Sequence, residues 1–364
     1  SLFAKGLSVE EINKLRILMI IMSVSTAISF PLSVYSSVLI SYEKYIFRRI
    51  LDITSTVMLP ILNLVVLFMG EGSIGMAAVG VVIQIIYGYV YIYYCKRKIG
   101  VKAKYDKLNY DMLKEIWGFT AFVFLGMIVD MLYWATDKVL IGALIGSVAV
   151  AVYNIGGVFT SMVNSMSSAI SNVFSSRITT MVVKDQPIEK LSELLIRIGR
   201  IQYLVIAFII SGYIVFGKAF IHFWSGDAYM EAYYIALYTM IPLAIPLIQN
   251  VAYNTILAQK KHKFRSIIYA IIAVVNVIST YMAIPKYGII GAAVCTAIAY
   301  VIGNGIIMNI YYYKVTKLDI PKFWLNIAKI SVVPVIFSIA GLYIVNKILI
   351  INSIKLFLIE VIAY

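Results

Sequence analysis

Residues 287–314 read YGIIGAAVCTAIAYVIGNGIIMNIYYYK. Between Ile289 and Ile310 there is no charged side chain, while Gly288 and Gly291 mark one end and Tyr311, Tyr312, Tyr313 and Lys314 mark the other. A helix that crosses a hydrocarbon core of about 30 Å needs about 20 apolar residues, and Tyr and Lys collect where such a helix meets the headgroups. The stretch reads as one transmembrane helix.

The same pattern recurs on both sides of it. The 364-residue chain is 62% hydrophobic and only 13% charged, far from the roughly one-quarter charged composition of soluble domains. Apolar runs fall at 17–40, 50–69, 74–95, 116–135, 148–174, 201–216, 232–258, 267–284, 289–310 and 324–345, and another begins near Ile354. These runs are continuous rather than alternating, which predicts helices and not the strands of a barrel. The expected fold class is all-α integral membrane, with about 11 transmembrane helices. Cys95 and Cys295 are far apart in or beside apolar runs, so they read as packing residues.

The formal net charge is +14, and its distribution along the chain gives it meaning. Twenty-three of the 31 Lys and Arg residues fall in alternate connections, around 44–49, 96–114, 177–200, 260–265 and 314–329. The positive-inside rule makes that side cytoplasmic. The charge therefore orients the chain and meets anionic headgroups, and does not call for nucleic acid.

The sequence also repeats itself. Phe47-Arg48, Gly72 with Gly75, and the Tyr91 to Lys96 run recur as Phe264-Arg265, Gly288 with Gly291, and the Asn309 to Lys314 run, at offsets of 217, 216 and 218 residues. Six spans separate the copies, which gives a parallel repeat of two pseudo-symmetric six-helix bundles around a central cleft. On this reading residues 1–110 are the second half of an N-terminal lobe, 111–315 a C-terminal six-helix lobe, and 316–364 extra C-terminal helices. The N-terminal bundle is then incomplete, with three helices expected ahead of Ser1. The run after Lys355 is too short to span, so the last helix is expected to be cut short.

Polar groups inside spans are costly, so they mark candidate sites. Asp130 is the deepest carboxylate and reads either as a cation or proton site or as a helix-packing acceptor. Asp137 and Lys138 read as an anchoring pair near the outer interface. The fifth span carries Asn154, Thr160, Ser161, Asn164, Ser165, Ser167, Ser168, Ser171 and Asn172, a density expected against a cleft or a neighbouring helix. The seventh holds Pro242 and Pro246, then Gln249, Asn250 and Asn254, which predicts a bent helix presenting amides. Pro31 with Ser33, Ser36 and Ser37 is its repeat counterpart. Arg16, Arg177, Arg197 and Arg200 near span ends could meet a phosphate in a bidentate fork or merely touch headgroups.

Four stretches together resemble a known family: GLSVEEINKLR at 6–16, DKVLIGALIGSVAVAVYN at 137–154, FWSGDAY at 223–229, and the opening stretch at 287–314. They are similar to bacterial polysaccharide flippases, the O-antigen and oligosaccharide flippases of the multidrug, oligosaccharidyl-lipid and polysaccharide exporter superfamily. The resemblance implies a MATE-like flippase fold of two six-helix lobes, often with two added helices, in the bacterial inner membrane. It also implies alternating access that carries undecaprenyl-pyrophosphate-linked oligosaccharide from the cytoplasmic to the outer leaflet. The products would be O-antigen, capsule or exopolysaccharide. Implied partners are the lipid-linked oligosaccharide, membrane lipids, an H+ or Na+ coupling ion, and a polysaccharide polymerase or ligase.

Two rivals stay open. A cation-coupled drug or toxin antiporter shares the superfamily and would use a carboxylate such as Asp130. A membrane enzyme of polysaccharide assembly needs acid–base residues and a sizeable extramembrane loop, yet the only histidines are His222 and His262, in short connections. No phosphate-cradling Gly loop, zinc spacing or nucleophile with its base is present, so no cofactor and no metal are expected.

Overall fold

A computed structural model of the chain describes residues 8–42, 44–101, 110–259, 261 and 263–347. Within α4, introduced below, several side chains before residue 135 lie outside the described residues, as does the eleventh apolar run. The described helices divide into two units, one ending at Glu115 and the other beginning at Ile116.

The first unit contains α1 (Val9–Ser41), α2 (Tyr45–Phe68) and α3 (Gly72–Tyr94), the last continued by a π-helical turn over Cys95–Ile99. Ser8 starts α1 with a capping box: its Oγ accepts from the Glu11 backbone N–H at 3.3 Å, and Glu11 Oε2 accepts from the Ser8 N–H at 2.7 Å. That exchange satisfies two donors which the first turn would otherwise leave unpaired. α3 packs against both α1 and α2. Polar pairs cross these contacts, with Ser25 Oγ donating to Gln84 Oε1 at 2.5 Å and Tyr91 Oη to Asp52 Oδ1 at 3.3 Å. Such bonds contribute in hydrocarbon because no water competes for them.

The second unit contains α4 (Tyr110–Leu144) from Ile116 onward, α5 (Ser147–Val183), α6 (Ile188–Ser225), α7 (Glu231–Ile248), α8 (Asn250–Ala258), α9 (Lys263–Tyr300), α10 (Asn309–Val315) and α11 (Ile320–Lys347). A short 3₁₀ turn over Asp227–Tyr229 precedes α7, and a π-helical stretch over Val301–Met308 joins α9 to α10. The helices extend further than the apolar runs. Lys190, Arg197 and Arg200 therefore ride on α6 rather than in a loop, and His222 sits in its last turn, 2.5 Å from Asp227.

Gly288 decides the course of α9. Its φ of 60° and ψ of −149° lie where only glycine is comfortable. Asn276 Nδ2 reaches Thr296 Oγ1 at 3.2 Å across 20 residues, whereas a straight helix would separate them by about 30 Å at 1.5 Å per residue. The chain therefore turns back at Gly288 and crosses the membrane twice. Among the described residues eight helical stretches are long and apolar enough to span, Lys263–Val315 counted once. Splitting that stretch and adding α4 accounts for the ten complete runs read from sequence.

Close helix approaches rest on small residues. A Cβ on Gly156 of α5 would lie 2.9 Å from Ile235 Cγ2 and 3.0 Å from the Ala232 carbonyl oxygen of α7. On α6, a Cβ at Gly199 would lie 2.4 Å from the ring of Phe323, which α11 presses fully buried into that gap. This is the small-residue packing by which apolar helices associate in lipid.

Candidate functional site

The buried polar centre of the second unit is Asp137 on α4. It is 4% exposed, and three hydroxyls from two helices donate to it. Tyr153 Oη of α5 reaches Oδ2 at 2.7 Å, Thr296 Oγ1 reaches the same oxygen at 2.7 Å, and Thr280 Oγ1 reaches Oδ1 at 3.4 Å. Thr280 and Thr296 stand on opposite legs of α9, so the reversal at Gly288 brings both to one carboxylate. Asn276, one helical turn before Thr280, donates to Thr296 and keeps its own Oδ1 buried without a hydrogen-bond partner.

No Lys, Arg or His makes an ion pair with Asp137 among the described residues. This corrects the interfacial anchoring pair expected from Asp137-Lys138: the carboxylate is withdrawn into the helix packing and held by hydroxyls, while Lys138 lines the edge of the cavity beside it. Hydrogen bonds to a carboxylate compensate for the water lost on burial, whereas a lone buried charge would be prohibitive. The result is a buried carboxylate whose hydrogen-bond partners, among the described residues, are three hydroxyls.

The cavity beside Asp137 measures about 410 Å³ and is lined by Lys138, Tyr153, Thr160, Asn164, Thr296 and Tyr300, among others. Thr160 and Thr239 bridge α5 to α7 with their hydroxyls 2.7 Å apart. A second cavity of about 250 Å³ is lined by Asn250, Tyr253, Arg265, Tyr269, Asn304 and Tyr312, and by Asn164 and Tyr300 once more. These two shared residues make the cavities neighbours. Two adjoining cavities with polar walls thus lie within the second unit.

The remaining candidates fall as follows. Asp130 belongs to α4, and its side chain lies outside the described residues, as does His262. Asn154 is exposed on α5 and lines a shallow groove with Lys138 and Ser161. Ser161 and Ser165 bond back to carbonyls four residues earlier, whereas Ser167 meets α6, where Gln202 Nε2 donates to its Oγ at 3.1 Å. Arg177 is exposed near the end of α5, and Arg16, Arg197 and Arg200 are exposed on their helices.

The bend expected after Pro242 and Pro246 is present. α7 stops at Ile248, Gln249 adopts φ −103° and ψ 15°, and α8 resumes at Asn250. Gln249 is buried and donates to Asn309 Oδ1 at 2.5 Å, which also accepts from Trp324 Nε1 at 2.9 Å. Asn254 turns its amide back to the Asn250 carbonyl at 3.0 Å, so Asn250 is the seventh-span amide left at the cavity wall.

Sequence reading passed over Asn276, Thr280 and Thr296. Their signal was a polar pair spaced i, i+4 in one apolar run and a lone threonine in the next, which place polar groups on one helix face. Arg265 figured there as loop charge and as a landmark of the repeat, not as a site residue.

A family model described as "Polysaccharide biosynthesis protein" matches residues 8–234. Among solved structures the fold is similar to that titled "Lipid II flippase MurJ, inward closed conformation", with a TM-score of 0.72 and 18% sequence identity over 95% of this chain and 77% of that one. A comparison with curated proteins finds no match.

Proposed function

Because this chain belongs to the polysaccharide biosynthesis protein family, we propose that it flips undecaprenyl-diphosphate-linked oligosaccharide from the cytoplasmic to the outer leaflet. The units would serve O-antigen, capsule or exopolysaccharide. The structurally similar protein is titled a lipid II flippase, and the reaction type is carried from it to this chain.

The observation that carries the reading is the pair of adjoining cavities with polar walls in the second unit. Sugars and phosphates cannot enter hydrocarbon unshielded, because each unpaired polar group costs several kcal/mol there. Amides and hydroxyls along α5, α7 and α9 replace the water that the cargo gives up, while its prenyl chain stays among lipids. In this reading Asp137 is the seat of the coupling ion, H+ or Na+. Its hydroxyl cluster joins α4, α5 and both legs of α9, so occupancy of one carboxylate biases the packing of three helices. The chain then acts as a transporter and not an enzyme, since transport needs the cargo sheltered and released and no bond broken.

The test is reconstitution of the full chain into liposomes with a fluorescent undecaprenyl-diphosphate oligosaccharide, with accessibility to an external quencher followed under imposed H+ or Na+ gradients. The expected result is gradient-dependent transfer between leaflets that becomes indifferent to the gradient in Asp137→Asn. Absence of transfer across a broad panel of lipid-linked glycans, with efflux of cationic drugs in its place, would overturn the reading in favour of the antiporter.

A further inference from the structure

The repeat that relates the two units also supplies an internal comparison. Phe47-Arg48 recurs as Phe264-Arg265, and the surroundings recur with it. Phe47 stacks on Tyr94 with ring centroids 3.8 Å apart and planes 16° apart, and Phe264 stacks on Tyr311 at 4.4 Å and 9°. Both arginines keep Nε buried without a hydrogen-bond partner.

The copies diverge one turn later. Arg48 has Asp52 at i+4, with Nε to Oδ2 at 3.9 Å. The equivalent residue beside Arg265 is Tyr269, and among the described residues no carboxylate makes an ion pair with Arg265. Tyr253 and Tyr269 instead place their rings 4.1 Å from the guanidinium carbon. The second unit thus has aromatic rings beside the arginine where the first has a carboxylate.

We propose that Arg265 is an oxyanion seat at the cytoplasmic mouth of the second unit, and that it takes the diphosphate of the lipid-linked cargo; this rests on the flippase reading above. Rings held over the faces of a guanidinium leave anions to approach its in-plane N–H edge, where Nε has no hydrogen-bond partner, and that edge is the one that binds phosphate oxygens in a fork. A partly buried cation without a counterion is stabilised by any anion that reaches it.

The cavity at Arg265 adds the amides of Asn250 and Asn304 and the Tyr312 phenol. At about 250 Å³ it is smaller than the roughly 300–1,000 Å³ of pockets that enclose drug-sized ligands, which suits a headgroup-sized anion rather than a whole oligosaccharide. The distribution of basic residues puts the start of α9 on the cytoplasmic side, where the cargo loads. Asn164 and Tyr300 then connect this seat to the Asp137 cavity.

The experiment is equilibrium binding to the purified full chain in detergent, with farnesyl diphosphate as probe and farnesol and short-chain phosphatidylglycerol as comparisons. Arg265→Gln should weaken farnesyl diphosphate at least tenfold and leave the comparisons unchanged, while Arg48→Gln changes it less than twofold. Tyr269→Asp installs the pairing that the first unit already carries, so it should weaken the diphosphate comparably in a folded protein even if Arg265→Gln does not fold. A Tyr269→Asp or folded Arg265→Gln protein that binds within twofold of the parent overturns the seat. Equal weakening of phosphatidylglycerol overturns its assignment to a diphosphate in favour of ordinary lipid headgroups. Binding with the expected pattern but no glycan transfer would sink the flippase reading alone, whereas transfer with an indifferent Arg265 would sink the seat alone.

Discussion

The Thr296 hydroxyl and the Asp137 carboxylate, 159 residues apart in the chain, meet at 2.7 Å inside the second unit. The same oxygen accepts from Tyr153 at 2.7 Å, so a single carboxylate ties together three helices. Removing one donor leaves the others to carry a buried acceptor.

Thr296→Val keeps the shape of the side chain but deletes that donor and the acceptor used by Asn276. It should destabilise the protein by about 1–3 kcal/mol, the usual cost of leaving a buried polar partner unsatisfied. Combined with Tyr153→Phe, the loss should depart from additivity by about 0.5–3 kcal/mol, because both hydroxyls serve one oxygen. Unfolding in the same detergent for the two single and the double variants measures this, and strict additivity would mean the hydroxyls do not act on a shared group.

Gly288→Ala should weaken the reversal of α9. At φ 60° and ψ −149° a side chain is strained by about 1–3 kcal/mol. Cysteines placed at Asn276 and Thr296 in a cysteine-free background should crosslink readily in the parent and more slowly in Gly288→Ala. Equal crosslinking rates would show that the turn does not depend on glycine.

Gly199→Ala puts a methyl 2.4 Å from the Phe323 ring and 2.9 Å from the Ile248 carbonyl oxygen. Overpacking of this kind costs about 1–3 kcal/mol. Phe323→Ala added to it should recover only part of the loss, since the carbonyl clash remains. Thermal unfolding checks the order parent, double variant, Gly199→Ala only after subtraction of the Phe323→Ala single variant, and full recovery would place the whole clash on the ring.

Asn309→Leu removes the acceptor shared by Gln249 and Trp324 at the break between α7 and α8. The buried Gln249 and the half-buried Trp324 lose their partner, and a loss of about 1–3 kcal/mol is expected, chiefly from the buried donor. Asn309→Asp keeps the acceptor and should retain more of the stability than Asn309→Leu. The reverse ranking in a chemical unfolding series would show that packing volume at this position outweighs the hydrogen bonds.

Much of the fold was legible along the chain. The ten complete apolar runs each coincide with described helix, and the two prolines in the seventh run forecast the break at Gln249. The twofold repeat was visible as Phe-Arg pairs 217 residues apart and reappears as two matched aromatic stacks. Part of the candidate site was legible too: Asn164 and Asn250 do line cavities. Asp137 was read as an interfacial pair with Lys138 because adjacent opposite charges at a helix end usually snorkel to the headgroups. Nothing local in that pair shows that hydroxyls from 16, 143 and 159 residues away converge on it.

The sequence by itself determined which segments are long and apolar enough to enter the membrane, and it carries the alternation of basic charge between their connections. Hydrocarbon acts on each segment through its own length and composition, and flanking charge acts on each connection, so both properties are local. Only the tertiary structure decided which polar groups meet. The pairing of Asp137 with Thr280 and Thr296 depends on a reversal at Gly288, and only the packed structure shows that among the described residues no carboxylate makes an ion pair with Arg265. Those outcomes depend on helix rotation and approach, quantities that side chains distant in the chain settle together.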